Sequence, residues 1–310
     1  MKKPLIAVVG ATASGKTALA VKIARKYNGE VVSVDSMQIY KGMDIATAKP
    51  DINEMDGIPH HLIDFLEPTE SFSVSQYVEL ANKAIDDILS RNKIPVLCGG
   101  TGLYVRSLVE NIQFTEQPVN ESLREELQSR YKNEGGEVLL KELAEFDPET
   151  AKNLHPSNSK RIIRAIEIYR TTGITMSQQI ENSRNVPSPF DLTAIGITYQ
   201  NRQILYDRIN KRVDIMLENG LLEEARKFYN NNFGQTAVGA IGYKELKPYL
   251  DGEMTLEQAV EHLKQETRRY AKRQMTWFRK DSYINWIFAD KCRDVFEEAE
   301  KILSCRFTNG

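Results

Sequence analysis

Residues 4–17 read PLIAVVGATASGKT, and this stretch is the strongest indication of the fold of the chain. Its first six residues are a continuous apolar run, which is typical of a strand covered on both faces, as in a parallel sheet. The remainder fits the pattern G-x-x-x-x-G-K-[ST]; it is Gly10-Ala11-Thr12-Ala13-Ser14-Gly15-Lys16-Thr17. An Ala-rich segment with helical spacing follows, so the motif lies between a strand and a helix, as a phosphate-binding loop requires.

The residue types in this loop suit a phosphate ligand. Its glycines let the backbone curl so that its N–H groups face an anion, and the following helix adds its positive end. The Lys16 ammonium would then reach the outer phosphate oxygens, and the Thr17 hydroxyl would ligate a Mg²⁺ that bridges them. The motif predicts a diphosphate or nucleotide ligand and does not single out ATP.

Further apolar runs extend the same pattern along the chain. Strands are predicted at 30–35, 61–65, 94–98, 192–199 and 283–289, with helices between them. This alternation predicts an α/β fold, a doubly wound parallel sheet like that of P-loop NTPases. Between 115 and about 188 the sequence is charged and helix-favouring, with no strand run. We therefore predict a first part of the core at 1–114, a helical insertion domain at 115–190, and a core continuation with C-terminal helices at 191–310.

Composition excludes several classes of protein. The 310 residues include 41 Lys+Arg and 43 Asp+Glu, a net charge of −2, which excludes a histone-like protein and an acidic disordered chain. A local basic face is still compatible with that balance. The three cysteines, Cys98, Cys292 and Cys305, are far apart and form no C-x-x-C pair, so neither a zinc site nor a disulfide framework is expected. No stretch approaches the ~20 apolar residues of a membrane span. We expect a cytoplasmic monomer.

Polar residues follow two of the predicted strands. Asp35 ends the run VVSVD, at the sheet edge where ligands bind in open α/β folds, and a general base, a metal ligand and a helix cap are equally open roles for it. Gly99-Gly100-Thr101-Gly102 follows the strand at 94–98, and its glycines allow a ligand to approach the backbone. Taken alone, Thr101 is better explained as the cap of the next helix.

Together these segments resemble the tRNA dimethylallyltransferase family, in its compact bacterial form without a zinc finger. The 16-residue run that begins at Asp35 is far more specific than the phosphate loop. The matching stretches are GATASGKT at 10–17, DSMQIYKGMDIATAKP at 35–50, PHHLID at 59–64, GGTGLY at 99–104, HPSNSKRIIRAIEIY at 155–169, AIGYKEL at 240–246 and TRRYAKRQMTWFRK at 267–280.

The resemblance implies a reaction. Members of this family transfer a dimethylallyl group from dimethylallyl diphosphate to N6 of adenosine 37, next to the anticodon, in tRNAs that read codons starting with U. Diphosphate leaves, and Mg²⁺ is the cofactor. By the same resemblance Asp35 is the general base, while Lys16 and Thr101 stabilise the leaving diphosphate. Arg208 is a further candidate phosphate ligand.

The resemblance also implies a surface for the tRNA anticodon stem-loop. Beside Asp35 and Thr101, the residues expected to contact tRNA are Ser36, Met37, Gln38, Lys160, Arg161, Arg164, Gly242, Tyr243, Lys244 and Arg273. Gln38 carries an amide suited to an adenine edge. The segments 157–170 and 265–280 are basic, which suits contacts to phosphates, and the second also carries aromatic residues suited to stacking on bases. No chemical role is assigned to His60 or His61.

Two other functions are compatible with part of the sequence. An adenylate isopentenyltransferase performs the same chemistry on a free nucleotide, but it does not need the helical insertion or the basic segments. A P-loop kinase would explain the phosphate loop, but not the segments DSMQIY and GGTGLY.

Overall fold

A computed structural model describes residues 2–114, 120–229 and 235–306 of the chain. Its six strands form one sheet in the order β3-β2-β4-β1-β5-β6, and every neighbouring pair is parallel. The strands are β1 Lys3–Gly10, β2 Gly29–Val34, β3 His60–His61, β4 Ile94–Gly99, β5 Phe190–Thr198 and β6 Ile284–Phe288. The predicted fold class, an α/β parallel sheet with a phosphate loop, is confirmed.

Helices fill most of the remaining described residues. They are α1 Lys16–Lys26, α2 Ile52–Met55, α3 Val74–Ser90, α4 Gly102–Val109, α5 Glu121–Glu134, α6 Gly136–Phe146, α7 Pro148–Lys152, α8 Ser159–Thr172, α9 Met176–Arg184, α10 Arg202–Glu218, α11 Leu221–Tyr229, α12 Gln235–Val238, α13 Tyr243–Leu250, α14 Leu256–Phe278 and α15 Val295–Ser304. None of those in the described part of the chain is long and apolar enough to cross a membrane.

The apolar run at the start of the sequence forms the middle of the sheet. β1 lies between β4 and β5, and its residues from Leu5 to Gly10 are all buried. Ile6 and Val8 pack against Leu19 and Ile23 of α1, in a cluster that also includes Ile195 of β5. Burial on both faces explains why β1 has no alternation of apolar and polar residues.

The third predicted strand is mostly wrong. The sequence predicts a strand at 61–65, but β3 contains only His60 and His61. Leu62 and Asp64 both take left-handed backbone conformations, with φ of 58° and 57°, which end the extended strand. The apolar residues of this segment pack as a loop, which the sequence pattern alone did not distinguish from a strand.

The chain divides into two compact units, residues 1–108 with 189–310, and residues 109–188. All six strands belong to the first unit, while the second contains helices α5 to α9 around its own core of Leu127, Leu139, Leu143, Ile162 and Ile166. The predicted domain boundary at 115 lies outside the described residues.

Candidate active site

The site residues with predicted chemical roles lie on three neighbouring strands. Lys16, Asp35 and Thr101 follow the carboxyl ends of β1, β2 and β4, which are adjacent in the sheet. Because the strands are parallel, these ends meet at one edge, where open α/β sheets bind their ligands. Lys16, Thr17 and Asp35 line a cavity of about 270 Å³ at this edge.

The phosphate loop holds a half-buried cation. The Lys16 ammonium donates to the Ala11 carbonyl, 3.3 Å away, and burial lowers the pKa of Lys16. Gly15 has a φ of 95°, a backbone conformation that residues other than glycine rarely adopt. The turn into α1 therefore depends on glycine at this position. A half-buried cation whose one hydrogen bond within the described residues goes to a carbonyl is stabilised when an anion binds beside it.

Asp35 is half-buried at the same edge and caps its own loop. Its Oδ1 accepts hydrogen bonds from the backbone N–H groups of Met37, at 2.9 Å, and Gln38, at 3.3 Å. Burial raises the pKa of Asp35, while these N–H groups and the charge of Lys16 oppose that rise. Among the described residues nothing donates to Oδ2, so the capping role leaves one carboxylate oxygen for a substrate.

Thr101 lies directly before α4, where its carbonyl accepts from the backbone N–H groups of Tyr104 and Val105. Its hydroxyl accepts from the Ser36 backbone N–H at 3.1 Å, and so connects the loop after β4 to the loop after β2. The glycines around it are needed for packing, because a Cβ at Gly100 would lie 2.1 Å from Nε2 of Gln274 and one at Gly102 2.1 Å from the Trp277 ring. This close packing against α14 explains the segment GGTG better than capping does.

Two residues of α14, the buried Gln274 and the half-buried Tyr270, belong to the site although the sequence pattern did not place them there. The Gln274 side chain accepts from the Thr12 backbone N–H at 2.9 Å and donates to the Gly100 carbonyl at 3.1 Å, so it joins the phosphate loop to the loop after β4. One turn earlier, Tyr270 lines the same cavity; burial raises the pKa of its hydroxyl, and the side chains of Thr101 and Gln274 oppose that rise. Residues 270 and 274 are spaced to share one helix face, which is a weak signal in the sequence.

Helix α10 places two arginines beside the phosphate loop. Arg208, a predicted phosphate ligand, donates from Nε to the Ala13 carbonyl at 2.8 Å. Arg212 lines the cavity, and burial lowers its pKa. Arg212 was not among the predicted site residues. Because Arg212 follows Arg208 by four residues, the two lie on the same face of α10.

The loop after Asp35 uses its polar groups internally. The Gln38 amide donates to the carbonyls of Ala48, at 3.0 Å, and Thr47, at 3.3 Å, while its oxygen accepts from the Ser33 hydroxyl at 3.3 Å. The cavity lining nevertheless includes Ser36, Met37 and Gln38. That Gln38 contacts the adenine edge stays a prediction.

The expected tRNA contacts at 242–244 differ in exposure. Tyr243 is fully buried, and its hydroxyl donates to Glu224 at 2.8 Å. Gly242 is also buried against Ala46, whose Cβ would lie 3.0 Å from a Cβ at this position. Of the three, Lys244 is exposed and lines the cavity, as Arg273 does. The aromatic residues of 265–280 are not all available for stacking, because Phe278 is completely buried.

In the second unit, the expected tRNA contacts also fall into two groups. Arg164 pairs with the buried carboxylate of Glu167 at 2.9 Å, and Arg124 binds the same carboxylate at 2.9 Å. Lys160 and Arg161 are exposed and form no ion pair within the described residues. Lys160 lines a cleft of about 560 Å³ together with Arg124 and Arg164.

Comparison with known proteins gives consistent matches over nearly the whole chain. The family model described as IPP transferase matches residues 38–281. A tRNA dimethylallyltransferase of Acetivibrio thermocellus is 49% identical over 301 residues, which are 96% of this chain and 95% of that protein.

Solved structures give the same result. The crystal structure of the full-length tRNA isopentenylpyrophosphate transferase from Bacillus halodurans has a TM-score of 0.70 and 45% identity, covering 98% of this chain and 94% of that one. A eukaryotic dimethylallyltransferase acting on tRNA has a TM-score of 0.81 and 30% identity, covering 98% of this chain and 78% of that one.

Proposed function

The chain belongs to the IPP transferase family of tRNA dimethylallyltransferases, and we propose that it transfers a dimethylallyl group from dimethylallyl diphosphate to N6 of adenosine 37 in tRNAs that read codons starting with U. The products are N6-dimethylallyladenosine and diphosphate. The proposal assigns the diphosphate to the phosphate loop and the flipped adenine to the space beside Asp35, since enzymes that act on a base usually take it out of its stack.

The composition of the cavity lining carries this proposal. Lys16 and Arg212 supply half-buried cations, whereas Val213, Leu221 and Leu263 supply aliphatic surface from one apolar cluster. A ligand that suits both groups has an anionic end and a short apolar end, as dimethylallyl diphosphate does. A nucleoside triphosphate would use the cations but would gain little from the aliphatic side chains.

The reaction follows from the positions of these groups. N6 of the adenine attacks C1 of the dimethylallyl group, the bond between C1 and the bridging oxygen breaks, and its electron pair leaves with the diphosphate. Asp35 accepts the proton that N6 loses, which matters because delocalisation into the ring makes this amine a poor nucleophile. Lys16 and Thr101 stabilise the charge that accumulates on the leaving diphosphate in the transition state.

The residues present fit a Mg²⁺ that takes most of its ligands from the diphosphate and from water. Among residues 2–114, 120–229 and 235–306, no three His, Cys, Asp or Glu side chains form a metal-binding group. The Thr17 hydroxyl is an oxygen donor that lines the cavity, as Mg²⁺ prefers. When bound, the ion would neutralise charge on the diphosphate.

We further propose that the second unit grips the anticodon stem-loop through Lys160 and Arg161, while Lys244 and Arg273 contact RNA at the mouth of the cavity. Arg164 acts mainly by fixing Glu167 and the neighbouring helix. Replacing Lys160 and Arg161 by glutamine should weaken tRNA binding and reduce its salt dependence by a slope of roughly 0.7–0.9 per lost phosphate contact. Lys152→Gln, an exposed change in the same unit, is the control.

The test uses the purified chain with Mg²⁺, labelled dimethylallyl diphosphate and unmodified tRNA carrying adenosines at positions 36–38. AMP is offered in a parallel reaction. Label in tRNA at adenosine 37, and none in AMP, supports the proposal. Label in AMP alone would instead identify an adenylate isopentenyltransferase, and no label in either acceptor from folded protein would favour a kinase.

A further inference from the structure

Glu224 of α11 binds three successive backbone N–H groups of the loop that follows Asp35. Its Oε2 accepts from Asp44 at 3.0 Å and Ile45 at 2.8 Å, and its Oε1 accepts from Ala46 at 2.9 Å. The Tyr243 hydroxyl donates to Oε1 as well, at 2.8 Å. One side chain therefore joins α11, α13 and a loop about 180 residues earlier in the sequence.

A carboxylate matches this set of groups better than any other side chain. Its two oxygens offer about four acceptor positions and no donor, and here they meet four donors. Hydrogen bonds from N–H groups to a charged oxygen are also shorter and stronger than neutral ones. Glutamine, which has the same shape, would place an NH₂ group against two of the donors.

The loop that Glu224 holds forms one wall of the cavity. Ala46, Thr47 and Ala48 line it, and the carbonyls of Thr47 and Ala48 accept the Gln38 amide. The Ala48 carbonyl also lies 3.4 Å from the Arg212 guanidinium. A shift of residues 44–46 would therefore move the Ala48 carbonyl, which accepts from both the Gln38 amide and the Arg212 guanidinium.

We propose that Glu224, supported by Tyr243, is a positioning residue that fixes the wall at 46–48 so that the acceptor adenosine binds in a reactive orientation. This inference rests on the proposed function for its kinetic consequence, but its structural part does not require any substrate. It also explains why a tyrosine in the segment AIGYKEL is fully buried: its hydroxyl serves the loop anchor instead of contacting RNA.

The experiment compares Glu224→Gln with Glu223→Gln, a change at the exposed neighbour on the same helix turn. Hydrogen exchange of the substrate-free chain is measured at the amides of residues 44–46. In Glu224→Gln we expect these amides to exchange at least tenfold faster, while those of β1 and β4 keep their wild-type rates. Tyr243→Phe removes one donor of four and should give a smaller increase. Glu223→Gln should match the wild type.

Kinetics then separate positioning from a merely structural role. In Glu224→Gln we expect kcat/KM for tRNA to fall on the order of 10- to 100-fold, because displaced walls misalign the reactants. The affinity for dimethylallyl diphosphate should change less than threefold. Unchanged exchange at 44–46, or an equal loss of diphosphate affinity with faster exchange throughout the sheet, would overturn the inference. Failure of the wild type to modify tRNA would refute the proposed function and leave the exchange result to judge the anchor.

Discussion

The two ends of strand β2 hold carboxylates, Glu30 buried and Asp35 half-buried, whose surroundings push their pKa values in opposite directions. Glu30, near the start of the strand, is 2% exposed, and its carboxylate is bound by Arg91, by Lys93 at 2.7 Å and by His61 at 2.7 Å. The Arg91 guanidinium, followed by Lys93 and His61, holds the pKa of Glu30 well below its usual range. Asp35, one residue beyond the strand, receives only two backbone N–H groups, and burial raises its pKa.

The contrast between bound cations at Glu30 and backbone N–H groups at Asp35 distinguishes a structural carboxylate from a reactive one. A carboxylate surrounded by cations stays ionised and is a poor proton acceptor, so Glu30 serves stability. A half-buried carboxylate without a directly bound cation, such as Asp35, has a pKa closer to that of the groups it must deprotonate, and perturbation of this kind is concentrated at functional sites. Sequence reasoning selects Asp35 by its position after a strand, and the structure adds the physical contrast with Glu30.

The largest expected effect is on catalysis at Asp35. Asp35→Asn keeps an oxygen to accept from Met37 and Gln38 but removes the proton acceptor, so single-turnover transfer to tRNA should fall about 10²- to 10⁴-fold. Thermal unfolding should stay close to that of the wild type. Asp86→Asn, at an exposed carboxylate of α3, is the control. Near-wild-type transfer by Asp35→Asn would end the general-base assignment.

Glu30→Gln should have the opposite profile. It removes the anion shared by Arg91, Lys93 and His61, and breaking a buried pair costs about 3–5 kcal/mol; we expect the lower end, because Arg91 is 39% exposed and Lys93 32%. Urea unfolding measures the loss. At a temperature where the variant is folded, transfer should stay within twofold of the wild type, and a folded but inactive variant would contradict the comparison.

The pH dependence of kcat/KM in the wild type should reflect the pKa shifts of Asp35 and Lys16, which both line the cavity. Asp35 must be ionised, so kcat/KM should rise with pH through a midpoint above the ordinary carboxyl value of 3.8. Lys16 must be charged, and burial lowers its pKa below 10.5, so activity should fall as pH rises through that lowered value. In Lys16→Arg the alkaline fall should disappear, because a guanidinium stays charged. An unchanged alkaline limb in that variant would remove Lys16 from the explanation.

The pKa shifts of Glu30 and Asp35 predict opposite effects of pH on the stability of the fold. The folded-state pKa of Glu30 is lowered, so its contribution is present above the ordinary carboxyl range and is lost as pH falls toward the lowered value. The folded-state pKa of Asp35 is raised, so its ionisation reduces stability as pH rises through that value. Glu30→Gln should therefore flatten the acid side of the stability curve, as measured by urea midpoints between about pH 3 and 7, and an equally steep curve would contradict this.

The smallest effect is expected at His61. Its imidazole lies 2.7 Å from the Glu30 carboxylate, and the His61 side chain is 27% exposed. When the imidazole is removed, Arg91 and Lys93 still bind that carboxylate. His61→Gln should therefore cost less than about 1 kcal/mol, as partly exposed pairs usually do. Urea unfolding beside Glu30→Gln gives the comparison, and an equal loss in both variants would mean that the histidine dominates the cluster.

Local patterns were sufficient to predict the sheet and the strand ends that carry Lys16, Asp35 and Thr101. A buried strand, a Gly-rich turn and a helix are each encoded within a few residues, so the phosphate loop and its edge of the sheet follow from short stretches. The prediction of a strand at 61–65 was wrong because two residues with left-handed backbone conformations end the strand. Apolar composition does not encode that conformation.

The rest of the site depends on contacts that are distant in sequence. Gln274 binds a residue 262 positions earlier, Glu224 holds a loop about 180 positions earlier, and Arg212 reaches Ala48. In the sequence these residues look like ordinary polar positions of amphipathic helices. Their roles appear only when packing brings α10, α11 and α14 to the edge of the sheet.

The most direct test of the contrast between the two ends of β2 is a carboxyl titration of the folded chain, with ¹³C-labelled aspartate and glutamate observed by NMR. Asp35→Asn and Glu30→Gln assign the two signals. We expect an Asp35 midpoint above 3.8 and a Glu30 carboxylate that stays ionised well below 4.5, for as long as the fold persists. Ordinary midpoints for both carboxylates, or a reversed order, would contradict it.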